Sequence, residues 1–191
     1  MQLFSWLTLK VIGIKLNIKH LDSHSVDYSY YLGPNYREEY KPPNKGGIIS
    51  TMIAPHVSCF DIQALATTFK GNITFAAGSF MKKVPILGGI CKLLGCVFVP
   101  RSGSKTELNN TLDVLVDRAK LNEEEGTFPP TIIFPEGTTS NNLCLLKFRR
   151  GAFFPMRQVI PVTLKYNFET VSPAIEVLDE YVTVLLMCMT L

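Results

Sequence analysis

Apolar and polar positions along this chain fall into short blocks that suit a strand, then a helix, then a strand again. Runs of strand length occupy residues 26–31, 47–54, 72–77, 95–100, 131–134, 159–165 and, less regularly, 174–178. Between several of them the period lengthens to that of a helix. The clearest case is 104–121, where Leu108, Leu112, Leu115, Val116 and Ala119 share one face and Ser104-x-x-Glu107 has the form of a capping box. Segments 58–70 and 86–94, the latter loosened by glycines, complete the set. Such alternation predicts an α/β fold: a single domain, 1–191, with a mostly parallel, mixed sheet flanked by helices. Residues 40–47 (YKPPNKGG) and 122–130 (NEEEGTFPP) read as surface loops.

The two ends differ from this pattern. Residues 1–18, MQLFSWLTLKVIGIKLNI, are apolar but carry Lys10 and Lys15, and they lack the basic start and cleavage site of a signal peptide. They read as an amphipathic helix, able to lie on a bilayer by burying Phe4, Trp6, Leu7 and Leu9, or to pack on a core as most such helices do. No uninterrupted apolar run reaches the length of a membrane-spanning helix. The final YVTVLLMCMTL stops in mid-pattern, as expected of a truncated C-terminus.

Composition adds less than distribution. With 191 residues and 47% hydrophobic content the chain can fill one core, and its net charge of +3 is unremarkable for choosing a partner. Yet between Asp61 and Glu107 there are six basic residues and no acid, and between Glu136 and Glu169 five basic residues and no acid. Two acid-free basic zones suit an anionic ligand or surface: small-molecule phosphates, an anionic membrane or nucleic acid. Nucleic acid is not expected, since the zones are mostly apolar and no nucleic-acid motif is present. Five cysteines, an odd number without a C-x-x-C pair, suggest reduced thiols facing the cytosol rather than a zinc site or disulfide framework. No metal site is expected, because His20 and His24 have no matching ligand set.

Candidate chemistry begins where the apolar run before Pro55 stops and His56 follows, with Asp61 five positions on. On one helix the two would lie about 140° apart, so contact requires His56 to precede a helix whose first turn holds Asp61. Ser58-x-x-Asp61 has capping-box form and would start that helix at Ser58. His56 then becomes a candidate general base and Asp61 the group that fixes its tautomer. A helix cap beside an ordinary loop histidine would account equally for the spacing.

Three further blocks follow. GCVFVPR, 95–101, is a short buried strand whose end delivers Arg101, suited to bidentate phosphate binding. TIIFPEGTTS, 131–140, ends in Glu136 and Gly137, where the amides and hydroxyls of Thr138, Thr139 and Ser140 could gather around an anion. LLKFRRGAFFPMRQVIPVTLKY carries Lys147, Arg149 and Arg150 and then a strand in which Pro161 requires an edge or a kink.

In this order, APHVSCFD, GCVFVPR, FPEGTTS with LLKFRRGAF, and VIPVTLKY resemble the four blocks of the glycerolipid (lysophospholipid) acyltransferase family, across residues 48–166. TTSNNLCLLKFRRGAF and YNFETVSPA look most like the eukaryotic lysophosphatidylcholine and lysophosphatidylethanolamine acyltransferases. Pro55 departs from the family, which commonly has Asn there. The resemblance implies a catalytic His56 and Asp61, and substrate binding by Arg101, Glu136, Gly137, Thr138, Gly95, Phe98 and Pro161. It implies acyl transfer from acyl-CoA, a co-substrate rather than a cofactor, to the hydroxyl of a lysophospholipid without a covalent enzyme intermediate. Expected partners are acyl-CoA, a lysophospholipid and a membrane surface, with the site on the cytosolic face of the endoplasmic reticulum. A 1-acylglycerol-3-phosphate acyltransferase, a thioesterase or lysolipid hydrolase, and a non-catalytic lipid-binding protein stay open as alternatives. Cys59, next to the pair, is expected to be a half-buried structural thiol.

Overall fold

The computed structural model describes residues 2–20, 27–39, 50–70, 72–85, 87–100, 104–167, 172 and 174. Two compact units make up the chain, Met1–Lys15 with Ile48–Leu191, and Leu16–Gly47.

The larger unit begins with α1, Gln2–Val11, shorter than the pattern predicts because Gly13 takes a left-handed φ of 70° and breaks the hydrogen-bond ladder. Leu9 and Ile12 pack with Phe60 and Ala64 in a small apolar cluster, while Phe4, Trp6 and Leu7 face outward. So α1 uses one stripe for the core and leaves a second apolar stripe exposed.

In the smaller unit, α2 (Ser29–Leu32) and α3 (Tyr36–Glu39) are single turns. The strand expected at 26–31 is not there: Asp27 Oδ1 accepts from the Ser29 amide at 2.9 Å, and that local bond turns the backbone into α2 despite the β-favouring tyrosines. The same bond holds the Asp27 carboxyl below its usual range.

Five strands, β1 (Thr51–Ile53), β2 (Thr74–Gly78), β3 (Val97–Val99), β4 (Thr131–Ile133) and β5 (Val159–Pro161), form one sheet in the order β3-β2-β4-β1-β5, with every neighbouring pair parallel. The expected α/β fold is therefore present, and its sheet is wholly parallel. Such strands need crossovers, and α4 (Asp61–Thr68), α5 (Leu87–Leu93) and α6 (Lys105–Glu125) supply three of them. Residues 175–178 of the weakest expected strand lie outside the described residues.

Met52, Phe75 and Ile132 from three strands meet Leu65 and Ala66 of α4 in the main core. Ile132 and Leu65 are fully buried, each contributing roughly 2 kcal/mol relative to exposure. Helix α6 starts as its capping box predicts, Ser104 Oγ accepting from the Glu107 amide at 3.2 Å. It runs past the expected loop boundary to Glu125 because glutamates propagate a helix well, and Gly126, at φ 64°, ends it.

β5 is an edge strand, as Pro161 requires. The Val162 amide donates to Ile53 O at 2.8 Å, so by alternation the nitrogen of Pro161, which has no hydrogen, faces the open side.

Candidate active site

Parallel pairing puts the carboxyl ends of all five strands on one edge of the sheet, where open α/β sheets bind ligands. β1 and β4 are neighbours, and their connections leave in opposite directions, toward β2 and toward β5. The first side chains beyond these two strands therefore share a small space. His56 follows β1 and its ring stacks on Phe134, which follows β4, with centroids 4.3 Å apart and planes 16° from parallel. The Ser140 amide donates to His56 O at 2.8 Å, tying the loop after β4 to the histidine backbone.

Asp61, the first residue of α4, is fully buried, and its carboxylate is the hub. Oδ2 lies 2.8 Å from His56 Nδ1 and accepts from the amides of Val57 at 2.6 Å and Ser58 at 2.9 Å. Amides can only donate, so Oδ2 is an acceptor and the imidazole presents Nδ1–H to it, leaving the Nε2 lone pair to take a proton. The helix begins at Asp61 rather than Ser58. Ser58 Oγ accepts from the Phe60 amide instead of the Asp61 amide, so only the carboxylate half of the expected capping box is made.

The other carboxylate oxygen has a partner that sequence reasoning missed. Tyr166 Oη donates to Asp61 Oδ1 at 2.7 Å across 105 positions. Burial first, and the neighbouring Asp61 carboxylate second, push the Tyr166 hydroxyl far above its usual range, so it stays protonated. Only its place at the end of the VIPVTLKY block hinted at it.

Glu136 is buried, and Oε2 accepts from the Leu146 amide at 3.0 Å; among the described residues Oε1 has no hydrogen-bond partner. A buried carboxylate oxygen in that state is an acceptor waiting for a donor. Gly137 sits at φ 69°, a conformation that favours glycine, and the exposed Arg149 side chain, its Nε 2.6 Å from where a Cβ would be, would have to shift for any larger residue.

His56, Asp61, Phe134, Glu136 and Tyr166 thus draw on the first, third and fourth blocks of the sequence pattern. A family profile described as Acyltransferase matches residues 34–173. The chain belongs to the acyltransferase family. It is 35% identical over 135 residues to a lysophospholipid acyltransferase, LPEAT1, of Arabidopsis thaliana, covering 70% of this chain and 32% of that protein. It is 36% identical over 132 residues to lysophosphatidylcholine acyltransferase 1 of Danio rerio, covering 68% and 24%, and 36% identical over 124 residues to the Homo sapiens protein of that name, covering 65% and 22%. The chain thus spans a third or less of the length of these relatives. No solved structure matches it significantly.

Within this acyltransferase domain the remaining sequence candidates do not all converge. Gly95 lies before β3, at the opposite edge from His56, where it ends α5 at φ 67° and its carbonyl accepts from Arg118 Nη1. Phe98 lies on β3, three strands from β1, roughly 14 Å at the usual spacing, with Lys82 Nζ 4.9 Å from its ring centroid. Arg101 lies outside the described residues. Thr138 is exposed on the loop after Gly137, and Pro161 is exposed on the outer edge. The Ser140 amide, expected to face an anion, is committed to His56 O. Cys59 is partly buried against the Leu9–Phe60 cluster.

Proposed function

We propose that this domain transfers a fatty acyl group from acyl-CoA to the free hydroxyl of a lysophospholipid of the lysophosphatidylcholine or lysophosphatidylethanolamine type. The observation that carries the reading is the 2.8 Å contact between His56 Nδ1 and the buried Asp61 carboxylate, made at the ligand-binding edge of the sheet. The acyltransferases this chain is similar to support the acceptor class, being named for lysophospholipid and lysophosphatidylcholine.

In this mechanism His56 Nε2 removes the hydroxyl proton as the lysolipid oxygen attacks the thioester carbonyl. The tetrahedral intermediate collapses with cleavage of the carbon–sulfur bond, and the departing thiolate takes the proton back from the imidazolium. Asp61 keeps the ring in its productive tautomer throughout. Arg101 binds the acceptor phosphate, and Glu136, with Gly137 and Thr138 beside it, receives a hydrogen bond from the acceptor. Holding two substrates in this way supplies much of the rate, because the thioester is already activated.

A membrane surface is the natural source of the acceptor. Support comes from the outward stripe of α1, with Phe4 71% and Leu3 75% exposed, and from the loop where exposed Leu143, Leu145 and Met156 accompany Lys147, Arg149, Arg150 and Arg157. Among the described residues no helix is long and apolar enough to cross a membrane. The proposed address is the cytosolic face of the endoplasmic reticulum.

The test is an assay of the chain with acyl-CoA and a panel of lysophospholipids in vesicles, with products identified by mass spectrometry. Diacyl phospholipid is expected. Release of free fatty acid alone, or no turnover with any acceptor, would overturn the reading.

A further inference from the structure

We propose that Tyr166 is a positioning residue for acyl transfer, holding Asp61 Oδ1 so that Oδ2 is presented to His56 Nδ1. This deepens the reading above and rests on it.

A carboxylate turns easily about its last torsion, which has a broad, roughly two-fold profile. At Asp61 all three of the other donors, His56 and the amides of Val57 and Ser58, point at Oδ2. One-sided bonding fixes the position of Oδ2 but leaves the plane of the group free to tilt around it. The 2.7 Å bond from Tyr166 to Oδ1 adds the second point that fixes the plane. Asp61 is fully buried, so solvent does not stand in for that donor.

Tyr166 is itself held from two directions. The Val162 amide donates to Ile53 O, keeping the chain after β5 in register with β1, and Asn142 Nδ2 donates to Leu164 O at 3.1 Å, tying that chain to the loop after β4. A phenol fixed in this way reports the register of the edge strand directly to the reacting pair. Its hydroxyl serves as a donor because the group it faces is an acceptor, and its raised ionisation keeps the proton in place.

Tyr166→Phe removes only the hydroxyl. The expected result is a fall in kcat of about tenfold or more, with the KM values for acyl-CoA and lysophospholipid changed less than about twofold, since the tyrosine acts through Asp61 and not on a substrate. A second arm places Tyr166→Phe in an Asp61→Asn background, where it should cost less than about twofold further in kcat, because the group it orients no longer does its work. An unchanged kcat in the single variant, a rise confined to the lysophospholipid KM, or full additivity in the double variant would each overturn the proposal.

A third arm needs neither activity nor the phenylalanine variant. Tyr166 labelled with ¹³C at Cζ is followed by NMR from pH 7 to about pH 11 in the native chain and in Asp61→Asn. The groups facing this hydroxyl are Asp61, Cys59 and Ser58. A free phenol ionises near pH 10; the native one should stay protonated across the range, and loss of the Asp61 charge should bring its ionisation down. A Cζ chemical shift at neutral pH and a titration that are both identical in the two proteins would refute the coupling. A native chain that turns over no lysophospholipid while its NMR titrations differ would instead sink the reading of function and leave the Tyr166–Asp61 contact established.

Discussion

The carboxyl ends of β1 and β4 and the neighbourhood of β3 handle polar groups in opposite ways. At the first, a fully buried carboxylate makes four hydrogen bonds and a histidine ring is stacked on a phenylalanine. Around β3, an open groove is lined by Lys82, Phe98, Asn110, Thr111 and Arg118; among the described residues its cations lie over aromatic faces, Lys82 on Phe98 and Arg118 on Phe128, and not against carboxylates, with Arg118 also donating to Gly95 O. The proton transfer proposed for this pair tolerates little misplacement, which suits a carboxylate held by four donors. A cation on a ring face at the surface, as Lys82 is, gives up only about 0.5–1 kcal/mol when it leaves, so it remains recruitable by an anionic ligand. Under the proposed function, the first region would serve the chemistry and the second the capture of an anionic substrate.

The sharpest way to break that division is to compare His56→Ala with Asp61→Ala. Both should lower acyl transfer by about a thousandfold or more. Their effects on folding should separate: His56→Ala removes a part-exposed ring and should cost about 1 kcal/mol, whereas Asp61→Ala strands the amides of Val57 and Ser58 and the Tyr166 hydroxyl and should cost about 2–4 kcal/mol. Urea unfolding of both variants measures this. Equal losses of stability would mean that the carboxylate is not the hub described.

With Arg101 as the proposed phosphate-binding residue, Arg101→Ala should raise the KM for lysophospholipid about tenfold with a smaller change for acyl-CoA, and Arg101→Lys should recover only part of it. Steady-state kinetics with each substrate varied in turn decides the point. An effect on acyl-CoA alone would assign the arginine to the coenzyme's phosphates.

A smaller effect is expected in the turn after β4. Gly137→Ala should destabilise the domain by about 1–2 kcal/mol, since alanine is strained at φ 69° and Arg149 would have to move. Thermal unfolding of Gly137→Ala alone and with Arg149→Ala separates the two contributions. If Arg149→Ala removes the whole defect, the backbone conformation was not the reason for the glycine.

Local patterning was enough for much of this architecture. The five strands lie inside or within one residue of segments whose apolar runs are visible in the chain, Ser104 caps α6 as its spacing predicts, and Pro161 demanded the edge position that β5 has. These features depend on neighbours in sequence, so the sequence alone determined them. Five positions of spacing allowed the His56–Asp61 contact but suited a plain helix cap as well, and only the folded loop decided between them. Strand order was different: that β4 inserts between β1 and β2, making Phe134 the neighbour of His56 while Phe98 stands three strands away, is set by which apolar faces pack best together. Tyr166 is the extreme case, 105 positions from the oxygen it serves, and no local propensity encodes that distance. The reverse error at 26–31 has the same root: β-favouring side chains promised a strand, and in the described residues 27–31 a local Asp27–Ser29 bond decided for a turn.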